Sequence, residues 1–228
     1  AFSLAGPNAR KVLEKVTHED VSNASFGFLA CRKLDVGLIR ARVGRLSVVG
    51  ELGYEIHCSA NEHATLRKTL LEAGRDLGIA EYGFAAVNSL RLEKSFGIWS
   101  REFTQDYTPA ETGMDRWIDF GKQDFVGRDA ALKVREEGGP RRLVMLEVDA
   151  GDADASGYEP VWKDGGLVGF ITYGGFGHSV GKSLAMALLD QEAAAAGTEL
   201  STHIVGIERG ARVVAASPYD PEGRKMRG

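Results

Sequence analysis

A run of helix and strand breakers past the middle of the chain, Glu136-Glu137-Gly138-Gly139-Pro140, divides it into two textures. Glycine and proline interrupt backbone ladders, so the short helix expected over Gly127–Val134 cannot be carried through them. Beyond the run the apolar residues come in bursts at Leu143–Val148, Glu159–Trp162, Leu167–Tyr173, Leu184–Leu189, Leu200–Ile207 and Val213–Ala216. Six short strand candidates over about 75 residues, separated by turn signals, point to a small β-barrel or sandwich. Lys163-Asp164-Gly165-Gly166 is the strongest of those turns, because Asp and Gly tolerate positive φ. The expected organisation is an α+β part over residues 1–139 and a small β-barrel over residues 140–228.

The first part mixes both periodicities. Gly6-Pro7-Asn8 turns the chain into a short amphipathic helix over Pro7–Val16, with Val12, Leu13 and Val16 on one face. Leu38–Val43 and Arg45–Val49 read as strands flanking a hairpin turn at Gly44, and Tyr54–Cys58 alternates like a half-buried strand. Ser59-Ala60-Asn61-Glu62 is a capping box, followed by the helical stripe Leu66, Leu70, Ala73 and Leu77. A further helix is expected from Phe84 to about Phe96, with Phe84, Val87 and Leu90 facing inward.

Charge narrows the classes of partner. With a net charge of -4 and a pI of 5.8 there is no overall basic footprint for nucleic acid. No stretch approaches the roughly 20 apolar residues of a membrane helix, and Ala1-Phe2-Ser3-Leu4 lacks the basic start of a secretory signal. Two cysteines, Cys31 and Cys58, without CxxC spacing suit a reducing compartment and no metal site, so the expected location is cytoplasmic or the mitochondrial matrix. The chain opens on Ala1 in a strand-like run, which leads us to expect sequence upstream.

Most motifs favour ordinary structural roles. Gly174-Gly175-Phe176-Gly177-His178-Ser179-Val180-Gly181-Lys182-Ser183 ends like a phosphate loop, but five residues separate Gly175 from Gly181 and three separate Gly177 from it, where four are needed. A tight turn between barrel strands fits it better. The five histidines lack the i, i+4 spacing of helix-borne metal ligands, and no Gly-x-Ser-x-Gly elbow offers a nucleophile. Arg91 and Glu93 sit two apart on a helix and face different ways, so each is a candidate for a structural ion pair as much as for a ligand contact. Glu51 and Glu55 flank Gly53 just before a strand, where a carboxylate can accept two hydrogen bonds from a planar amino-heterocycle; a solvated turn with a structural Glu is the plainer alternative.

Five segments in order resemble the glycine-cleavage T-protein family: Ala5-Gly6-Pro7-Asn8-Ala9, Gly50-Glu51-Leu52-Gly53-Tyr54-Glu55, Asn88-Ser89-Leu90-Arg91-Leu92-Glu93-Lys94, Asp124-Phe125-Val126-Gly127-Arg128-Asp129-Ala130, and Val168-Gly169-Phe170 with Gly181-Lys182-Ser183-Leu184-Ala185. Glu93-Lys94, Trp99 and the last segment are similar to the members fused to dimethylglycine and sarcosine dehydrogenases. The resemblance implies tetrahydrofolate as cofactor, with an amine substrate whose one-carbon unit passes to it. FAD is implied only where a separate upstream flavin domain, fused or free, exists. It also implies that Glu55 anchors the pterin, with Tyr54, Arg91 and Trp99 as candidates for the pocket wall; the family's reacting aspartate would lie upstream, leaving no catalytic residue in this chain. The chain departs from the family pattern at Val87, in place of a folate-contacting arginine, and at Val48, in place of an aromatic. Those departures keep open a folate-binding or regulatory module without catalysis, and a folate-dependent demethylase using the same scaffold on another methyl donor is a third reading.

Overall fold

The structure, a computed structural model, describes residues 1–228 and resolves into two compact units. The first comprises Ala1–Asn88 and Asp220–Gly228, and the second Ser89–Tyr219. No helix is long and apolar enough to cross a membrane.

The first unit is a four-stranded antiparallel sheet with short helices. Its strands are β1 (Phe2–Ala5), β2 (Cys31–Val36), β3 (Ile39–Gly44) and β4 (Gly53–His57), in the order β1-β4-β3-β2. Period-two alternation puts Leu34 and Val36, then Ile39, Ala41 and Val43, then Tyr54 and Ile56 on the buried face. Helices α1 (Ala9–Glu14) and α2 (His63–Ala73) cover that face with Val12, Leu13, Leu66 and Leu70. The capping box at Ser59 and Glu62 forms, and a 3-10 turn over Ala60–Glu62 leads into α2. The expected hairpin at Gly44 does not form: the turn lies at Gly37-Leu38, with Gly37 at φ 60°, and Gly44 ends β3. Cys31–Val36 was missed as the partner strand because Arg32, Lys33 and Asp35 leave only Leu34 and Val36 to mark its buried face.

Helix α3 (Phe84–Glu93) spans the division between the units. It buries Arg91, Leu92 and Glu93, whereas Phe84 is 73% exposed, so the expected inward stripe from Phe84 is corrected. Apolar spacing located the helix and misjudged its face, because its buried positions carry charge.

The second unit continues through α4 (Pro109–Thr112) and α5 (Arg128–Glu137) into a closed six-stranded barrel. Its strands are β5 (Arg141–Val148), β6 (Pro160–Lys163), β7 (Gly166–Gly177), β8 (Lys182–Asp190), β9 (Glu199–Ile204) and β10 (Ile207–Val214), closed in the order β10-β5-β8-β7-β6-β9. Closure removes sheet edges, and Leu146, Val161, Ile171, Ala187, Leu189 and Ile204 fill the interior. Strand β8 is apolar on both faces because Leu184 and Met186 pack outward with Leu92 and Met145 in a second cluster. A bulge between β6 and β7 admits Val168 as the extra residue, and Gly169 beside it has φ 156°. The turn Asp164-Gly165 and the hairpin at Gly177–Lys182 form where expected, so the glycine-rich run is a barrel turn. The final helix, α6 (Arg224–Arg227), belongs to the first unit.

Candidate functional site

The turn entering β4 is built by its glycines. Gly50 has φ 84°, and a Cβ on Gly53 would stand 2.8 Å from Ser47 Cβ and 3.2 Å from the Leu46 carbonyl oxygen. Real Cβ contacts do not reach 2.8 Å, so the close approach of the two chain segments requires glycine there. Between them Leu52 is buried at 7% exposure, and its carbonyl accepts the Gly6 N–H at 2.9 Å. Two of the five sequence segments are thereby joined: the Gly6-Pro7-Asn8 turn docks on the Gly50–Glu55 turn, and Ala5 pairs with Gly53.

The last two residues of this motif face opposite ways. Tyr54 points into the core, fully buried, with its ring 5.9 Å from that of Phe26 and its hydroxyl accepting from Arg10 Nε at 3.3 Å. Glu55 points out with its side chain 33% exposed; its Oε2 lies 3.5 Å from His57 Nε2, an ion pair only when the imidazole is protonated. The remaining acceptor positions of that carboxylate are open to a ligand. Glu51 pairs with Lys225 at 3.5 Å. Val48 is 39% exposed.

The other two candidates lie in the second unit. Arg91 is 2% exposed; its Nη1 donates to the Phe96 carbonyl at 2.8 Å and stands 4.0 Å from Glu102 Oε2, and its guanidinium lies 4.3 Å over the Tyr173 ring. Burial pushes the guanidinium's pKa down from the usual arginine value, against the opposing pull of Glu102 and Tyr173. Trp99 is 78% exposed and meets Phe103 edge-on. Beside Arg91, Glu93 is wholly buried and accepts the Ser179 N–H at 2.5 Å, while Lys94 Nζ donates to the Tyr219 carbonyl at 2.8 Å. The end of α3 thus clamps the Gly177–Lys182 hairpin, joining two more of the sequence segments. An open cleft of about 690 Å³ at the barrel, lined in part by Asp149, Asp152, Lys182 and Arg212, contains neither Arg91 nor Trp99. Its Lys182 is paired with Glu147 at 2.7 Å.

Sequence reasoning passed over Arg10, Asn23, Arg45 and Glu102. Arg45 carried a signal: it opens the run Arg45-Leu46-Ser47-Val48-Val49, where a cation inside an apolar stretch marks a buried or specially partnered charge.

Comparison with known proteins places these features in a family. The family model described as the GCVT N-terminal domain matches residues 1–122, and that for the glycine cleavage T-protein C-terminal barrel domain matches residues 141–220. Mitochondrial dimethylglycine dehydrogenase of Mus musculus is 37% identical over 206 residues, covering 90% of this chain and 24% of that protein. An aminomethyltransferase of Caldanaerobacter subterraneus is 36% identical over 204 residues, covering 89% of this chain and 54% of its own length. The crystal structure of glycine cleavage system aminomethyltransferase T from Bartonella henselae superposes with a TM-score of 0.82 at 24% identity, over 95% of this chain and 58% of that one, a likeness of fold. The chain spans about a quarter of the dehydrogenase and about half of the aminomethyltransferase.

Proposed function

We propose, from the premise that this chain belongs to the glycine cleavage T-protein family, that it is the tetrahydrofolate-binding part of a larger one-carbon transferase in which Glu55 holds the pterin. Folate-dependent one-carbon transfer is the activity supported at the level of the family. The functional division places folate binding in residues 1–139 and the supporting barrel in residues 140–228, a reading in keeping with model matches ending at 122 and resuming at 141.

The observation that carries the proposal is the Glu55 carboxylate. It stands in the middle of β4, a third exposed, two residues past a turn whose backbone is held by Gly53 against Ser47 and by Leu52 against Gly6. A strand locked between two neighbours and presenting a carboxylate with open acceptor positions suits the paired N–H donors of a pterin amino-heterocycle. Tyr54 contributes indirectly: its buried ring fixes the strand that aims Glu55. Arg91, closed in among Phe96, Glu102 and Tyr173, acts through the fold and not as an open wall. Trp99 keeps an exposed ring available for stacking. The one-carbon chemistry belongs to the folate; this chain binds and orients it, and the amine substrate and any flavin domain belong to the longer protein.

A second reading, a module that binds folate without turnover, is favoured by Val48, an exposed aliphatic where fused members carry an aromatic. Calorimetric titration of the intact parent protein with tetrahydrofolate tests both. Binding is expected, weakened at least about tenfold in Glu55→Ala, the loss of a charge-assisted hydrogen bond. Absence of heat at about 1 mM ligand, a concentration that detects only some 4 kcal/mol of affinity, would sink both readings. Turnover of an amine substrate separates the first from the second.

A further inference from the structure

On the solvent side of the first unit's sheet, the Glu55 carboxylate has an ionisable neighbour on its own strand. Side chains two apart on a strand share a face, so Glu55 and His57 both point outward from β4, and Nε2 of His57 stands 3.5 Å from Oε2 of Glu55. The positions directly opposite Glu55 bring no charge: they are Gly44 on β3 and Ser3 on β1, and the Ser3 hydroxyl accepts from the Tyr82 hydroxyl at 3.0 Å. Opposite His57 stands Arg42, and opposite Arg42 stands Lys33 on β2, both exposed. The acid of β2 on that face, Asp35, is taken by Arg40 at 3.0 Å. His57 thus sits between an acid on its own strand and two cations across the sheet, with its side chain 53% exposed and open to exchange of protons with water.

An imidazole changes charge near neutral pH, and its two forms treat a neighbouring carboxylate differently. Neutral, it leaves both oxygens of Glu55 to the paired N–H donors of a ligand. Protonated, it gives Oε2 a charge-assisted hydrogen bond and fills a position that such a ligand needs. We propose that His57 is a positioning residue for the pterin site: as imidazolium it pairs with Glu55 and competes with the heterocycle, so that binding of the heterocycle expels a proton from His57 to solvent. Like charges directly opposite one another repel, so Arg42 works against the imidazolium and favours the open site. By linkage, the factor by which protonation weakens the ligand is the factor by which the ligand weakens protonation. The proposal rests on the reading of Glu55 as the pterin anchor.

Calorimetric titration of the intact parent protein with tetrahydrofolate at about pH 6 and about pH 8, in buffers of different ionisation enthalpy, reads both sides of that linkage. The dissociation constant should be about two- to fivefold higher at the lower pH, the range for an exposed ion pair that competes with the ligand. The dependence of the heat on the buffer should show release of a fraction of a proton there. His57→Gln should flatten the pH profile and remove the proton release, and Arg42→Gln should move the weakening to higher pH. Binding in His57→Gln with the parent's pH profile and proton release, or lowered equally at both pH values with the release retained, would overturn the proposal and leave Glu55 an anchor without a proton-linked partner. Absence of binding at either pH would overturn the reading of Glu55 itself, and the proposal with it.

Discussion

The first unit buries one charged side chain, Arg45, whereas the second buries Arg91, Glu93, Lys94, Glu102 and Glu111. In the second unit the partners are internal. Arg91 faces Glu102, Glu93 takes an N–H of the barrel hairpin, Glu102 also accepts the Ile98 N–H at 2.9 Å, and Glu111 is held by Thr108 in a capping box. In the first unit Arg45 receives only carbonyl oxygens and a second cation nearby. A buried ion needs counter-charge or a full set of hydrogen bonds. The difference teaches that charge burial near the end of α3 is spread over a cluster of acids and bases, whereas the single buried charge of the first unit is held by the carbonyls of Phe26 and Arg227.

The comparison breaks most visibly at Arg91. Arg91→Ala should cost about 3–5 kcal/mol, since it strands Glu102 and removes the cation over Tyr173. Urea unfolding of the parent protein measures it. The double change Arg91→Met with Glu102→Leu should regain a good part of that loss, because a matched apolar pair strands no ion. A single substitution within 1 kcal/mol of the parent, on the usual scale for exposed pairs, would show that the second unit's charges are not mutually supporting.

Next in size is Gly169→Ala. At φ 156°, a Cβ there would stand 2.1 Å from the Leu188 carbonyl oxygen, so β7 and β8 would have to part where Gly169 pairs with Leu189. A loss of about 2–4 kcal/mol is expected from overpacking with backbone strain. If the second unit is self-contained, the loss should appear in its unfolding and leave tetrahydrofolate affinity unchanged.

How far the sequence revealed all this follows the same division. The barrel was legible because apolar bursts recur between Gly and Asp turns, whose φ values the structure bears out at Asp164 and Gly165. The capping box before α2 was legible because it is a local pairing of Ser59 with Glu62. Failures occurred where a partner is distant in sequence. Cys31–Val36 looks too polar for a strand until β3 pairs with it, and the end of α3 looks like a solvated face until the hairpin residue Ser179 reaches Glu93. Of the candidate site, Glu55 could be named from its motif, but the contacts of Arg45 with Phe26 and of Arg10 with Tyr54 could not be read without the fold, since these partners lie 19 and 44 positions apart.

A smaller effect distinguishes the first unit's arginines from those of the second. Arg10→Gln removes a cation that crowds Arg45, so its cost should stay within about 1 kcal/mol and turn into a gain at low salt, where repulsion is least screened. Thermal unfolding at two ionic strengths measures it. A loss comparable to that of Arg91→Ala would mean that Arg10 is as fully partnered as Arg91 and that the contrast between the units is false.

The smallest expected effect is the acid sensitivity of the first unit's surface. The Ser25 hydroxyl, with the N–H and hydroxyl of Ser22, holds the Asp20 carboxyl at about 2, below its ordinary 3.8. Asp76 and Glu81 are also lowered, chiefly by hydrogen bonds from Lys15 and Arg67. A carboxyl whose pKa is depressed by folding contributes stability that is fully present above its unfolded pKa and is lost as pH falls through the folded one. For Asp20 the loss therefore falls between pH 3.8 and about 2. In the second unit burial works to raise Glu159, and N–H bonds from Ser156, Gly157 and Glu159 itself outweigh it, so its carboxyl also ends below 4.5. Both units lose stability in acid, but salt separates the causes. Hydrogen bonds from neutral hydroxyl and amide groups are not screened, so the contributions of Asp20 and Glu159 should survive high salt while those of Asp76 and Glu81 fade. Acid unfolding of Asp20→Asn and Asp76→Asn at low and high ionic strength decides it: the first should flatten the acid limb in both, the second only at low salt. Equal salt sensitivity would mean that Asp20 is held by the Arg32 charge nearby and not by its serine turn.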